Sequence, residues 1–208
     1  MAQDISFAVG RQSQFCEEPT NEDWSHVKHI LRYLKKTANY GLHYVKTGQP
    51  IEAWVDADWA NDAQDARSIS GYVTKMAGDA VSWTSRKQTC VASSTTHAEY
   101  MALYDVITEI IWIKCLLVEL GQAEFANSPI VVHVDNMGAI RIAESNRVTE
   151  RSKHFNVKFH LVRDEIKKGT VMLLHTNSKD NVADLFTKPL SGVLTQNCSV
   201  LIGVKPIE

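Results

Sequence analysis

The chain has no apolar run long enough to cross a bilayer. The nearest approach, Ile107 to Leu117, is interrupted by Glu109 and Lys114 and reads as a buried helix. The opening Met1-Ala2-Gln3-Asp4 lacks the basic-then-apolar order of a signal peptide, so an intracellular protein is expected. Cysteine is sparse and scattered. Cys16, Cys90, Cys115 and Cys198 form no C-x-x-C pair, which argues against a zinc ribbon or a disulfide framework. Cys115, inside an apolar helical pattern, reads as a core filler. No repeat or low-complexity tract is present. Positive charge is also lacking: 22 Lys and Arg against 24 Asp and Glu leave a net charge of -2. A broad non-specific field for nucleic acid is thereby excluded, and any such binding must use local basic clusters, a partner or metal ions. With 44% hydrophobic and 22% charged residues among 208, the chain suits one ordinary domain with an appendage, or two small domains.

Up to about Gly48 the pattern supports one clear helix, with Asn21 or Asp23 as cap and Trp24, Val27, Ile30, Leu31 and Leu34 at helical spacing. Gly41 to Val45 reads as a short strand or extended arm. Ile51 to Asp56 alternates as a strand does. Gly71 to Met76 and Ala80 to Trp83 follow, with Gly78-Asp79 as their hairpin turn. Ser94-Thr95-Thr96 then cap a long helix that runs to about Leu120 and stops at Gly121. Ile130 to Val134 reads as a buried strand, and Ala139 to Ala143 as a helix. Phe155, Phe159, Val162 and Ile166 signal another helix. Thr170 to Leu174 is the last strand and Val182 to Phe186 the last helix. Strands alternating with helices in this order predict a mixed five-stranded sheet flanked by helices.

Four acids stand at the ends or edges of these elements, each between apolar or small neighbours. Asp56 is in the first strand, Glu99 near the start of the long helix, Asp135 at the end of the buried strand and Asp184 in the short last helix. A lone buried acid is usually a cap or half of an ion pair. Several brought together without matching cations repel and raise one another's pKa unless divalent metal neutralises them. Oxygen-only ligands suit Mg²⁺ or Mn²⁺, and two such ions can hold the attacking water and leaving oxygen of a phosphodiester in line. Asp58 competes with Asp56, because residues two apart on a strand share a face.

Several strings resemble the ribonuclease H domain of copia-type LTR retrotransposon polyproteins. They are Val55-Asp56-Ala57-Asp58-Trp59-Ala60, Arg67 to Tyr72, Val81 to Gln88, Ala98-Glu99-Tyr100, Val134-Asp135-Asn136, Lys153-His154 and Ala183 to Lys188. The resemblance runs from about residue 51 to 190. It implies a ribonuclease H-like α/β fold, three antiparallel strands then two parallel, with an N-terminal helical appendage. It favours Asp56 over Asp58, and implies two Mg²⁺ ions, with Mn²⁺ as substitute, held by Asp56, Glu99, Asp135 and Asp184. His97 stands where the family often has Glu, which alters the charge beside Glu99.

Asp4 to Gly10 and Leu31 to Thr37 resemble the stretch joining reverse transcriptase to ribonuclease H. Residues 1–48 are therefore expected to be a remnant of that connection, 49–192 the ribonuclease H-like domain and 193–208 a C-terminal tail. The polymerase's paired-aspartate motif is missing, so no polymerase activity is expected. The resemblance also implies an RNA–DNA hybrid as substrate, the reverse transcriptase domain as partner, no membrane, and a cytoplasmic virus-like particle or the nucleus as location.

Arg67, Ser68 and Ser70 are expected near Asp56, either contacting the hybrid backbone or stabilising a turn. Ser85, Arg86, Lys87 and Gln88 run toward the long helix, whose start at Thr95 and Thr96 suits a phosphate. Lys153, His154, Lys158 and Arg163 lie in the densest basic segment, read as a solvated face or a grip on the DNA strand. His175 is a candidate for protonating the leaving group, matching poorly the mobile His of cellular ribonucleases H. The alternative to a nuclease is an inactive module of the same fold that binds nucleic acid or docks on a polymerase.

Overall fold

The computed structural model describes residues 3–60, 65–145 and 156–207. Lys153, His154 and Phe155 lie outside the described residues. One sheet has the order β4-β3-β2-β5-β6, formed by β2 (Glu52–Asp58), β3 (Ile69–Met76), β4 (Asp79–Lys87), β5 (Ile130–Val134) and β6 (Val171–His175). β2, β3 and β4 are antiparallel neighbours, while β5 runs parallel to both β2 and β6. This is the mixed sheet that the alternation predicts. The hairpin turn falls one residue earlier than expected, on Ala77 and Gly78, because Asp79 already pairs with Met76. Both turn residues have positive φ, 55° and 94°, as a tight hairpin requires.

The long helix α3 (Thr95–Glu119) begins at Ser94, whose hydroxyl accepts the His97 N–H and satisfies one orphan donor of the first turn. Its residues Leu103, Val106, Ile107, Ile110, Ile113 and Leu117 recur every three or four positions and are buried against Val55, Val132 and Val134 of the sheet. Burying each such side chain is worth about 1.5–3 kcal/mol, so this face outweighs any local preference. Cys115 lies off that stripe and is exposed, which corrects its reading as a core filler. After the short α4 (Ala123–Ala126), α5 (Met137–Glu144) and α6 (Asn156–Lys167) complete this layer, through Ala139, Ile140 and Val162.

A second, smaller core lies under β3 and β4. Val73 and Ala80 meet Val182, Leu185 and Phe186 of a 3-10 helix (Val182–Phe186), together with Ile202 and Val204. Residues 193–208, expected as a tail, instead contribute α7 (Gly192–Leu201) and β7 (Lys205–Pro206). β7 pairs with β1 (Tyr40–Gly41), the part of the expected 41–45 arm that is strand. The N-terminal segment holds two α-helices where the sequence predicts one, α1 (Ser6–Ser13) and α2 (Asn21–Lys36). The cap of α2 is Thr20, not Asn21 or Asp23: Thr20 accepts the Asp23 N–H, and the Asp23 carboxylate accepts the Thr20 N–H in return.

Gly71 joins the two halves of this architecture. It pairs with Asp56 across β2 and β3. A Cβ there would lie 2.7 Å from both Phe186 Cβ and Thr187 Cγ2, so the 3-10 helix can rest on β3 only above a glycine. Gly71→Ala should destabilise the protein by about 1–3 kcal/mol, the usual cost of overpacking. Urea unfolding would register this as a lower midpoint at unchanged slope.

Candidate active site

The parallel pairing of β2 with β5 sets Val55 against Val134. Asp56, within β2, and Asp135, just past the end of β5, therefore stand side by side at the carboxyl end of this parallel pairing, where open α/β sheets bind ligands. The start of α3 lies over the same edge and supplies Glu99, whose Oε1 accepts the Ala57 N–H at 3.2 Å. Oxygens of Asp56, Glu99 and Asp135 all lie within 4.8 Å of one another. They open onto a basin of about 440 Å³, bordered also by Asp58, Trp59, Thr95, Asn136 and Lys188.

Asp184 joins the group from the 3-10 helix through Lys188. The lysine Nζ lies 2.9 Å from Asp184 Oδ1 and 3.5 Å from Asp56 Oδ2. The Thr187 hydroxyl donates to Asp56. The segment is fixed by Asn181, which donates to the Val55 carbonyl at 2.9 Å and accepts the Ala183 N–H at 3.1 Å. Asn136 caps α5 by accepting the Ala139 N–H. Lys188, Thr187 and Asn136 escape a reading by acid placement. The one local signal is the i, i+4 spacing of Asp184 and Lys188 within the string that carries the resemblance.

Burial dominates the electrostatics. Asp56 is 2% exposed and Glu99 5%. Burial raises the Asp56 pKa to about 6, and Asp184 and Asp135 add to the rise against Lys188 and the Thr187 hydroxyl. Glu99 is raised well above its ordinary value by burial, Asp56 and Asp135, against the Ala57 N–H. Burial also raises Asp184, partly countered by Lys188. For Lys188 burial opposes the charge, yet Asp56, Asp184 and Asp135 prevail and hold the ammonium above the usual lysine value.

A divalent cation fits these residues. Among the described residues, the buried Glu99 Oε2 has no hydrogen-bond partner, and the converging donors are all carboxylate oxygens, the set hard cations take. Asp58 borders the same basin but stands outside the compact group of three acids.

The expected substrate contacts divide sharply. Ser68 and Ser70 are buried. The Ser68 hydroxyl accepts the Ala60 N–H at 3.2 Å, and Ser70 accepts from Gln88 Nε2 at 2.8 Å. Gln88, also buried, donates as well to the Ala98 carbonyl at 2.9 Å, tying β3 to the start of α3. Arg163 is 8% exposed and donates through Nε and Nη2 to the Ile142 carbonyl, closing the end of α5. Each of these side chains makes hydrogen bonds within the protein, while the buried Gln88 Oε1 has no hydrogen-bond partner among the described residues. Arg67 and Lys87 both pair with Asp65, and Arg86 with Asp105. Ser85 lies opposite Gly71 on β4. Lys158 sits over the Tyr104 ring, 4.7 Å from its centroid. Thr95 is exposed at the rim of the acid basin, and Thr96 lies 3.5 Å from Asn136. His175 is exposed at the end of β6, opposite Val134, and is not among the residues bordering the basin.

Asp56 has a folded pKa above its ordinary 3.8, so its charge is disfavoured in the folded state. Its contribution to metal-free stability is therefore lost as pH rises from about 4 through about 6. In metal-free protein the Asp56 carboxyl carbon should titrate with a midpoint near 6 by NMR, and Asp135→Asn should lower that midpoint. A midpoint at the ordinary 3.8 would contradict this electrostatic account.

No protein-family model matches the chain. Among curated proteins it is 38% identical over 203 residues to the retrovirus-related Pol polyprotein from transposon RE2 of Arabidopsis thaliana. That match spans 97% of this chain and 14% of the polyprotein. It is 36% identical over the same length to the corresponding polyprotein of transposon TNT 1-94 from Nicotiana tabacum, spanning 15% of it. The chain thus covers about one seventh of the length of these relatives. Among solved structures, LC11-RNase H1, isolated from compost, superposes with a TM-score of 0.50 at 15% identity, covering 66% of this chain and 92% of that one. Sequence relatives and fold agree: the chain belongs to the retrotransposon Pol polyprotein family and carries a ribonuclease H-like fold.

Proposed function

We propose that the chain is a ribonuclease H-type endonuclease that hydrolyses the RNA strand of RNA–DNA hybrids, in the copia-type branch of its family. The observation that carries this reading is the convergence of the buried Asp56 and Glu99 with the half-buried Asp135, with Asp184 linked to them. Buried like charges with an unpartnered oxygen are costly unless a cation is bound there. Membership of the Pol family and the ribonuclease H-like fold support the choice of phosphodiester hydrolysis over other metal chemistry.

The acids would act as ligands, not nucleophiles. Asp56 and Asp135 would hold cations at the strand ends, Glu99 would add its free Oε2, and Asp184 would complete the set. Two Mg²⁺ ions, or Mn²⁺ in their place, would supply activation of water and stabilisation of the leaving 3′-oxygen. Products would carry 5′-phosphate and 3′-hydroxyl ends. Thr95, exposed at the start of α3 beside the acid basin, would contact a phosphate of the substrate backbone. Arg67, Ser85, Arg86, Lys87, Thr96 and Lys158 would contribute further contacts to that backbone, with Ser68, Ser70, Gln88 and Arg163 behind them. Lys153 and His154 keep that role as proposals from the sequence alone, and His175 keeps its proposed part in leaving-group protonation. Recognition of hybrid over duplex DNA would rest on 2′-hydroxyls in a wide minor groove. The reverse transcriptase domain of the same polyprotein is the proposed partner. Among the described residues no helix is long and apolar enough to cross a membrane.

Purified protein with Mg²⁺ should cut the labelled RNA of a hybrid and leave duplex DNA intact. Asp135→Asn should reduce cleavage by about 100-fold or more, since even outer partners of metal ligands cost 10- to 100-fold. Cleavage that survives Asp135→Asn would overturn the site. Absence of cleavage, with hybrid binding retained, would favour the inactive binding module instead.

A further inference from the structure

Lys188 has no part in the expected ligand set, yet its ammonium pairs with two members of that set. Its Nζ lies between an oxygen of Asp184 and one of Asp56. The same Asp56 Oδ2 also accepts the Thr187 hydroxyl, so this oxygen is engaged on two sides by one short segment. A divalent ion binding that oxygen would meet the ammonium's positive charge, 3.5 Å away, at the same carboxylate. We propose that Lys188 is a resident counter-cation, holding the acid site together in the metal-free protein and displaced when a divalent ion binds the same carboxylates. The inference rests on the reading of these acids as cation ligands.

Three features make the exchange feasible. The tether is short: Asp184 and Lys188 are four residues apart at the end of the 3-10 helix. The Lys188 side chain is 35% exposed while that of Asp56 is 3% exposed, so the ammonium can leave toward water without unfolding the carboxylate's surroundings. The lysine also borders a second cleft of about 410 Å³, walled by Ile5, Leu185 and Leu190. That wall gives the aliphatic stem an apolar surface to lie along once the head group has moved. Charge sets the direction of the exchange. One tethered positive charge neutralises one of the acids, whereas a divalent ion neutralises more and so gains as the acids converge. Lys188 is then a positioning residue. It lowers metal affinity by competition and, in return, keeps the empty site from bursting apart.

Calorimetric titration with Mn²⁺, using wild type, Lys188→Met, Lys188→Arg and Asp135→Asn, tests this. Wild type should bind Mn²⁺, and Asp135→Asn should bind it at least tenfold more weakly, on the order expected for a lost charge at a few ångströms. Lys188→Met should bind about tenfold tighter than wild type by the same reasoning. Its melting temperature in EDTA should fall by about 2 °C or more and recover when Mn²⁺ is added. Lys188→Arg should behave like wild type. Equal or weaker Mn²⁺ binding by Lys188→Met overturns the proposal and leaves the ligand reading standing. A wild type that binds no Mn²⁺ overturns both. Should Lys188→Met not fold, the ¹⁵Nζ resonance of Lys188 in wild type serves instead. It should be exchange-protected in EDTA and lose that protection at saturating Mg²⁺; a resonance that Mg²⁺ leaves unchanged overturns the proposal.

Discussion

The register of two parallel strands governs this molecule. Once Val55 lies against Val134, Asp56 and Asp135 must emerge together, and the rest of the structure manages the consequence. Two like charges about 4 Å apart interact by roughly 4 kcal/mol at an effective dielectric constant near 20. A whole domain is stable by only about 5–15 kcal/mol. The acids therefore cannot remain charged and alone. Protons, an ammonium or a metal must share the site, and the raised pKa values of Asp56, Glu99 and Asp184 express the first of these.

The sheet's two faces divide the work. Under α3 the apolar face fixes where Glu99 points, because the same helix that carries it is held by Leu103, Val106, Ile107 and Ile110. On the opposite face Phe186 and Leu185 anchor the segment bearing Asp184, Thr187 and Lys188. The acids sit where the two layers meet the strand ends. Side chains arriving from separate cores are held more rigidly than side chains on one loop, since neither layer can shift without disturbing its own packing.

The sheet and its acids were legible because their signals are local. Alternation in Ile51 to Asp56, the cap at Ser94 and the β-branched run before Asp135 can each be read within a few residues. The helices α1 and α7 were not, because their formation depends on surfaces supplied by distant segments. The cap of α2 was misplaced by one to three residues because Thr20, Asn21 and Asp23 are all good capping types, and only geometry shows Thr20 and Asp23 bonded to each other. Ser70, Gln88 and Arg163 gave no sign in the sequence of the internal hydrogen bonds that the structure shows for them. Residue type does not disclose a partner. Lys188 and Asp56 illustrate the same gap, since a pairing across more than 130 positions leaves no mark on the neighbouring sequence.

The small pairing of β1 with β7 has a mechanical consequence. Tyr40 faces Pro206 and Gly41 faces Lys205, and the Ile207 N–H reaches the Asn39 carbonyl at 2.8 Å. Everything between these positions, including both cores and all four acids, forms a loop closed at its neck. The clasp thereby fixes where the chain enters and leaves the body that carries the acids, independently of the β2–β5 register that sets Asp56 beside Asp135.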